Sequence, residues 1–396
     1  MNSEKSSADE LSFSLVRGTP WFHLQRAVGL IPSTGLGVPR RIVLFVLIVW
    51  LPMVIWAVWW RRAFPGEVAE PLLQHFGVHM RCLVAIPLLI GADIAGDLVP
   101  QRLIPYFVTS GLVPETARAQ FVHILRSAER LRDFWLAWVG MLVVTAALVV
   151  EGYEDSSHLH ELIWATTDST GTPSLGFGGA WFLFVVRPIF AFLLLVWFWR
   201  LVVCAVLLWR ISRLDLKLVP THPDRAGGLG FLENIPFIFS PVVFATSAVI
   251  ASRWGHEVLY HGVKEESLRV PLALFVATML VLFLFPLVAF TRQLNRFRRR
   301  SLLDYGALVG LHGRLVRRRW IMGESVPEAT VLDAQELGPV IDTVAMYEVV
   351  ASMHPTPIGK QSLISIALPA LVPMIPVWAV EVPMKEVFFK LLKALF

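Results

Sequence analysis

The stretch IVLFVLIVWLPMVIWAVWW (residues 42–60) contains only apolar side chains, and arginines flank it directly at Arg40, Arg41, Arg61 and Arg62. A helix crosses the hydrocarbon core of a bilayer, about 30 Å thick, with about 20 predominantly apolar residues. The stretch has this length and composition, and it therefore predicts a transmembrane helix.

The composition of the whole chain extends this interpretation to the protein. Of the 396 residues, 56% are hydrophobic and 16% are charged, and the mean hydropathy is +0.63. Soluble proteins carry about 25% charged residues, so the composition excludes a soluble enzyme, a secreted disulfide scaffold and a disordered regulator. Cys82 and Cys204 both lie in apolar runs and are expected to be buried, inert thiols. No cofactor is predicted.

Six further stretches are long and apolar enough to cross a bilayer, namely residues 78–99, 134–150, 180–209, 235–252, 270–290 and 363–380. The expected fold is an all-α polytopic transmembrane helical bundle of about seven spans with a small helical cytoplasmic extension. The last stretch contains three prolines, so it is either a span or a re-entrant segment.

Lys and Arg are divided unequally between the two sets of loops that these spans define. One set holds 24 of them and comprises residues 1–41, 100–133, 210–234 and 292–361. The other set holds 8 and comprises residues 61–77, 151–179, 253–269 and 381–396. Cytoplasmic loops carry the excess of basic residues, so we expect a cytoplasmic N-terminus. The net charge of +5 thus indicates topology and not a nucleic-acid partner.

The chain divides into four predicted parts. Residues 1–39 form a cytoplasmic tail with an interfacial helix near residues 21–30, and residues 40–300 form the transmembrane bundle. Residues 301–361 form a helical cytoplasmic segment, and residues 362–396 form the last span or re-entrant segment followed by an amphipathic C-terminal helix.

Two spans are expected to continue as helices beyond the bilayer. Residues 115–150 predict one helix, about 54 Å long at 1.5 Å per residue, which overshoots the membrane. The sixth span is expected to continue through residues 292–300 to residue 321, and a separate helix is expected over residues 336–353.

Four runs carry a resemblance: MRCLVAIPLLIGAD (80–93), VTSGLVPETARAQF (108–121), PTHPDRAGGLGFL (220–232) and YGALVGLHGRLVRRRWI (305–321). With them the chain resembles a family of bacterial multi-pass inner-membrane proteins that share an HPD-x-AGGLGFL loop. The resemblance implies a multi-pass topology and an inner-membrane location, and it implies no catalytic residues.

Charged residues inside the predicted spans are the sharpest functional signal. Asp93 and Asp97, four residues apart, share one face of the second span, and Arg187 and Arg200 lie in the fourth. A charge at the bilayer centre costs about 2.5–3.5 kcal/mol on insertion scales, so each needs a partner or water. We expect Arg200 at the depth of the aspartates, and Arg81 at the depth of Arg187. The set forms either an ion pathway or a structural salt bridge between helices.

The loop His222-Pro-Asp224-Arg225-Ala-Gly227-Gly228-Leu-Gly230 is the most distinctive motif on the cytoplasmic side. Its glycines permit positive φ and a close backbone approach. One interpretation is an anion nest at the mouth of a pathway, to which Arg225 adds charge. The other is a tight turn whose polar side chains satisfy backbone groups. His222 and Asp224 also suggest an acid–base pair, but no nucleophile accompanies them.

Histidines and glutamates on the predicted outer side suggest a metal site, namely His158, His160, Glu161, His256, Glu257 and His261. The HExxH motif of zinc peptidases places its histidines four residues apart on one helix face. His256 and His261 are five apart, which turns them away from a common ion. We therefore expect unconnected surface histidines and no metal.

Two features of the sequence bear on the membrane and its lipids. Pro369, Pro373 and Pro376 interrupt the last span, which indicates either a broken helix that lines a transport site or a kink supported by neighbours. Arginines at residue 296, residues 298–300 and residues 317–319 are expected to contact lipid headgroups.

Three functions fit this pattern. The favoured one is a channel-like or transporter-like protein for a small ion or proton. Asp93 and Asp97 would be its cation or proton sites, Arg200 would set their charge state, and the His222 loop would form the cytoplasmic mouth. The second is a non-transporting scaffold or signalling subunit, and the third is a membrane-embedded enzyme that uses His222, Asp224 and Arg225. The expected partners are the lipid bilayer, further copies of the chain and a cytoplasmic protein.

Overall fold

The computed structural model describes residues 11–65, 70–154, 164–168, 173–324 and 338–379. Seven helices in these ranges are long and apolar enough to cross a membrane. We number them span 1 (Val38–Trp59), span 2 (Phe76–Thr109), span 3 (Glu115–Glu151), span 4 (Phe177–Ile211), span 5 (Gly230–Tyr260), span 6 (Glu266–Val288) and span 7 (Lys360–Trp378). The predicted all-α polytopic bundle is confirmed, and the chain is a multi-pass membrane protein.

The α-helices are α1 (Pro20–Ala27), α2 (Val38–Val49), α3 (Leu51–Trp59), α4 (Phe76–His79), α5 (Ile86–Gly91), α6 (Asp93–Thr109), α7 (Glu115–Arg132), α8 (Trp135–Glu154), α9 (Phe177–Trp181), α10 (Arg187–Ile211), α11 (Ser240–His261), α12 (Arg269–Val288), α13 (Thr291–Val316), α14 (Gly338–Ala351), α15 (Lys360–Leu371) and α16 (Ile375–Ala379). Segments of π-helix cover Met80–Ala85, Phe182–Val186 and Arg317–Ile321. Short 3₁₀ turns cover Leu72–Gln74, Gly230–Asn234, Pro236–Phe239, Glu265–Leu268 and Val372–Met374. Strands β1 (Thr166–Asp168) and β2 (Pro173–Leu175) pair antiparallel.

The connections rich in Lys and Arg meet at one end of the bundle, which we call the basic end. The backbone N–H of Lys217 donates to the carbonyl of Leu112 at 2.8 Å, and that of His354 donates to the carbonyl of Arg225 at 2.8 Å. These bonds join the connections that follow spans 2, 4 and 6, as the predicted alternation of loops requires.

Spans 2 and 4 contain the same interruption. Each has a π-helical segment that ends two residues before a proline, Pro87 in span 2 and Pro188 in span 4. Proline has no N–H to donate to the carbonyl four residues before it. The helix adapts by bonding five residues back, and Arg187 N–H, for example, donates to the carbonyl of Phe182.

Span 1 bends at Trp50 because of a similar proline. Pro52 leaves the carbonyl of Ile48 without its helical donor. The indole Nε1 of Trp181, in span 4, donates to this carbonyl at 3.1 Å. The bend is therefore also a contact that joins spans 1 and 4.

Residues 11–19 of the predicted N-terminal tail pack against the bundle. Phe13 and Leu15 are 1% exposed and belong to the main hydrophobic core. Pro100 leaves the carbonyl of Gly96 without its helical donor, and the N–H of Leu15 donates to it at 3.1 Å. The segment thus replaces a missing hydrogen bond of span 2. The expected interfacial helix forms as α1 (Pro20–Ala27).

The helix expected over residues 115–150 is present as span 3, but it is interrupted at residues 133–134, since α7 ends at Arg132 and α8 begins at Trp135. The carbonyl of Arg132 accepts the indole N–H groups of Trp138 at 3.1 Å and Trp199 at 3.3 Å. The guanidinium of Arg132 pairs with Asp133 at 2.8 Å. These side-chain contacts end α7 where the sequence shows no breaker.

The sixth span also ends earlier than expected. A turn at Ala289 and Phe290 separates α12 from α13, and the ring of Phe290 is fully buried in the core. Beyond the turn, α13 packs against α14, where His312 Nδ1 lies 3.3 Å from Thr343 Oγ1. This helix pair lies within the extension that the sequence predicts.

Candidate functional site

Asp93 lies between two arginines in the interior of the protein. Its Oδ2 is 2.7 Å from Nη1 of Arg41 in span 1, and its Oδ1 accepts from Nη1 of Arg200 in span 4 at 2.6 Å. All three side chains are at most 5% exposed. The structure therefore brings Arg200, which was expected at the depth of the aspartates, into contact with Asp93, and Arg41 is an additional partner.

Span 4 positions Arg200 through an aromatic neighbour. The guanidinium of Arg200 lies 4.4 Å from the ring centroid of Trp197, a cation–π distance. Trp197 is itself fixed, because its Nε1 donates to the carbonyl of Leu89 in span 2 at 2.8 Å. Stacking and hydrogen bonding thus hold spans 2 and 4 in register at the charged site.

The site carries more positive charge than negative charge. Two guanidinium groups, of Arg41 and Arg200, share the single carboxylate of Asp93. Nε of Arg41 and Nε of Arg200 are buried and donate no hydrogen bond within the described part of the chain. Buried polar groups normally have a partner, from the protein or from water. These two N–H groups can therefore donate hydrogen bonds to water or to an anion.

Asp97 belongs to a second, neighbouring cluster. Nε of Arg17 donates to its Oδ1 at 2.8 Å, and Nη2 of Arg17 donates to its Oδ2 at 2.9 Å. Ser14 Oγ donates at 2.8 Å and Gln101 Nε2 at 2.6 Å. The carboxylate of Asp97 is 2% exposed, whereas the side chain of Arg17 is 49% exposed. Arg17 therefore connects a buried carboxylate to solvent at the basic end.

The N-terminal segment is fixed from its other side by α7. Nη1 of Arg132 donates to the carbonyl of Ser14 at 2.5 Å, and the guanidinium also binds Asp133. The hydroxyl of Ser14 in turn accepts the backbone N–H of Arg17 at 3.0 Å. Residues 11–19 consequently pack against span 2 at Gly96 and Asp97, about one helical turn from Asp93.

Arg81 and Arg187 lie at the π-helical segments of spans 2 and 4, distant from Asp93 and Asp97. The guanidinium of Arg81 lies 5.5 Å from the ring centroid of Phe182, the residue at which the π-helical segment of span 4 begins. Arg187 follows that segment directly. Their predicted common depth agrees with this contact, and their part in an ion pathway stays a prediction.

The His222 loop is a turn organised by its own carboxylate. Asp224 accepts backbone N–H groups from Ala226 at 2.8 Å, Gly228 at 3.2 Å and Gly230 at 2.7 Å. Burial alone would raise the pKa of Asp224, but these bonds and the neighbouring His222 together hold the pKa below its usual value. The N–H groups expected to bind an external anion are thus occupied by Asp224.

Two positions in this loop require glycine. Gly227 and Gly228 have φ of +66° and +96°, in the left-handed backbone region that residues other than glycine rarely adopt. Arg225 also has a positive φ, of 53°, and its carbonyl accepts the N–H of His354. The loop is therefore part of the packed basic end.

Span 7 is kinked, and a neighbouring span stabilises the kink. Pro369 leaves the carbonyl of Ser365 without its helical donor, and Ser240 Oγ in span 5 donates to it at 2.6 Å. Pro373 lies in the 3₁₀ turn that follows, and Pro376 lies in α16. The geometry at Pro369 agrees with a supported kink, the second of the two interpretations.

A cavity of about 710 Å³ opens at the basic end between the connection after span 4 and α13. Arg213, Arg292, Arg296 and Arg300 line it, together with Trp209. The guanidinium of Arg213 lies 3.8 Å from the ring centroid of Trp209. Arg296 and Arg300 belong to the cluster predicted to contact lipid headgroups, and that contact stays a prediction.

The sequence predicts unconnected histidines at the end of the bundle opposite the basic end, and this prediction is wrong for His256. His256 stacks on His75 with ring centroids 5.3 Å apart, and Glu70 lies beside both rings. Glu257 pairs instead with Arg253 at 3.2 Å. His158, His160 and Glu161 lie outside the described residues, as do the side chain of His261 and the predicted helix at residues 385–396.

Sequence reasoning missed Arg41 and Arg17. Because Arg41 precedes the apolar stretch, the sequence places it among the loop arginines that indicate the orientation of the chain. In the structure, span 1 begins at Val38 and therefore includes Arg41. Arg17 was assigned to a tail. One signal could have found Arg41. The charges of Asp93, Asp97 and Arg200 add up to a net negative charge, and this imbalance predicts a further cation nearby.

Comparison with protein-family models, with curated proteins and with solved structures finds no match for this chain. The resemblance to an inner-membrane family therefore stays a prediction, and the functional argument depends on the geometry alone.

Proposed function

We propose that the protein moves a small ion or proton across the membrane through the site formed by Asp93, Arg41 and Arg200. The observation that carries this proposal is the buried carboxylate shared by two guanidinium groups. Ionisable residues inside spans are expensive and mark ion or proton paths by default.

The charge balance of the site favours an anion over a metal cation. A cation approaching Asp93 meets Arg41 and Arg200 within 2.7 Å of the same carboxylate. An anion would find surplus positive charge and the buried Nε donors of the two arginines.

Access to this site would be controlled at the basic end. Residues 11–19 pack against span 2 there, and the pair between Arg17 and Asp97 holds them in place. Since Arg17 is half exposed, this pair is open to solvent. Movement of the segment would connect the buried site with water.

Reconstitution into proteoliposomes tests the proposal. Flux of chloride, potassium and protons is measured with ion-sensitive dyes for the wild type, for Asp93→Asn and for the exposed control Asp304→Asn. We expect flux of chloride or protons in the wild type and the control, and loss of that flux in Asp93→Asn. No wild-type flux with any of these probes, or unchanged flux in Asp93→Asn, would contradict the proposal.

The second candidate is the non-transporting scaffold or signalling subunit. The observation that favours it is apolar exposure at the end of the extension's first helix, where the consecutive residues Trp320, Ile321 and Met322 are 60%, 76% and 55% exposed. Large exposed apolar patches mark interaction sites. Here the buried charges would only hold spans together, and a soluble protein or a second copy would cover this surface. The oligomer and the cytoplasmic partner both stay predictions.

The third candidate, an enzyme at the loop, has less support. Both carboxylate oxygens of Asp224 are engaged by backbone N–H groups, and His222 Nδ1 lies 2.8 Å from one of them. These contacts stabilise the turn, and the pair is therefore not free to act on a substrate.

A further inference from the structure

Three metal-ligating side chains converge at the end of the bundle opposite the basic end. Glu70 and His75 lie between spans 1 and 2, and His256 lies in α11 of span 5. One ligand atom from each lies within 4.8 Å of the other two. Because the residues come from distant parts of the chain, no sequence motif reveals the group.

The distances between the ligand atoms fit one small cation. Oε2 of Glu70 lies 3.5 Å from Nε2 of His75 and 3.7 Å from Nε2 of His256. Both distances exceed the range of an N–H···O hydrogen bond, about 2.7–3.2 Å. Tetrahedral zinc has bonds of about 2.0–2.2 Å, which places neighbouring ligand atoms about 3.3–3.6 Å apart. The two distances from Glu70 are therefore close to those between corners of a zinc tetrahedron, and the two imidazole ligand atoms lie within 4.8 Å of each other.

Burial and charge also favour a cation here. The side chain of His75 is 5% exposed, and those of His256 and Glu70 are 17% and 19% exposed. Oε2 of Glu70 is buried and accepts no hydrogen bond within the described residues. A divalent ion would compensate the charge of this buried carboxylate.

The donor set identifies the class of ion. Two imidazole nitrogens and one carboxylate oxygen suit Zn²⁺ and similar first-row divalent ions. Mg²⁺ and Ca²⁺ prefer six or more oxygen ligands and do not fit. From this geometry we propose that Glu70, His75 and His256 bind one Zn²⁺ ion, with solvent in the fourth position. The ion joins the connection between spans 1 and 2 to span 5, independently of the transport proposal.

The neighbourhood offers matched controls for each ligand type. His79 is the nearby histidine whose ring is already occupied, since Nδ1 accepts from Trp50 at 3.1 Å and Nε2 lies 3.1 Å from the carbonyl of Leu72. Glu257 is the nearby glutamate paired with an arginine, Arg253. Replacing these two residues removes the same chemical groups and leaves the three proposed ligands in place.

The test is zinc binding by the full chain in detergent. Protein is stripped with chelator, dialysed against Zn²⁺ and analysed for bound metal, and Co²⁺ is used in parallel because its visible absorption reports tetrahedral coordination. We expect one zinc per chain in the wild type, His79→Ala and Glu257→Gln. Loss of an outer-shell partner of a metal ligand costs about 10–100-fold in affinity, so we expect about 100-fold or more for His256→Ala and His75→Ala.

Several results separate the proposal from adventitious binding. Zinc should raise the melting temperature of the wild type and of both controls, and it should not raise that of His256→Ala. His256 is the more exposed ligand, so its variant serves if His75→Ala fails to fold. Wild-type protein without stoichiometric zinc, or equal zinc in the wild type and His256→Ala, would overturn the assignment.

Discussion

Replacing Asp93 with Asn is expected to destabilise the protein strongly. The change removes the carboxylate from ion pairs of 2.6 Å and 2.7 Å and leaves Arg200 and Arg41 buried together. Breaking a buried ion pair by removing one partner costs about 3–5 kcal/mol. We therefore expect Asp93→Asn to lower the free energy of unfolding by about 3–5 kcal/mol.

A second substitution tests whether the uncompensated charge is the cause. Combining Asp93→Asn with Arg200→Gln removes one negative and one positive charge, so the site keeps the net charge of the wild type. Residues in direct contact show coupling energies of about 0.5–3 kcal/mol. We expect the double variant to be at least about 1 kcal/mol more stable than Asp93→Asn alone.

Unfolding by SDS in mixed micelles, followed by tryptophan fluorescence, measures these differences in a chain with 15 tryptophans. The exposed control Asp304→Asn should stay within about 0.5 kcal/mol of the wild type, as surface substitutions usually do. If Asp93→Asn were as stable as this control, or if Arg200→Gln destabilised it further, the account of the charge cluster would be refuted.

Three further predictions concern the contacts around the site. Arg17→Gln should cost about 1–3 kcal/mol, because Asp97 stays buried, and it should increase protease cleavage within residues 11–19. Asp224→Asn should lower the melting temperature at pH 7. The pKa of Asp224 is lowered in the folded protein, so the stability it adds is present above the unfolded pKa of about 3.9 and is lost as pH falls through the folded pKa. A pH series of melting curves should show the variant and the wild type converging below about pH 4. Ser240→Ala should cost about 0.6–1.7 kcal/mol, measured by SDS unfolding, and clearly less when Pro369→Ala restores the helical donor.

The seven spans and part of the charged site could be predicted from the hydrophobicity of the sequence and from the depth of residues within the membrane. Apolar length located all seven spans, because a helix must cover the bilayer thickness with apolar side chains. Depth within two helices that cross the membrane in the same direction placed Arg200 at the level of the aspartates, and the structure joins it to Asp93 at 2.6 Å. Both inferences use one element at a time, or two elements of known direction.

The missed features depend on contacts between elements that no pattern within one element reveals. Carbonyls released by Pro52, Pro100 and Pro369 are satisfied by donors from other segments, and a sequence shows the prolines but not the donors. The zinc ligands illustrate the same point, since His75 and His256 meet only after spans 2 and 5 pack.

The most direct test of the transport proposal is flux through the Asp93→Asn/Arg200→Gln double variant in proteoliposomes. This variant keeps the net charge of the site and leaves Arg41 as its one buried guanidinium, so loss of flux cannot be assigned to repulsion between two buried guanidinium groups. In protein that stays folded at the assay temperature, we expect chloride and proton flux at the level of empty vesicles. Flux equal to the wild type from this folded protein would mean that ions do not pass through the Asp93 site.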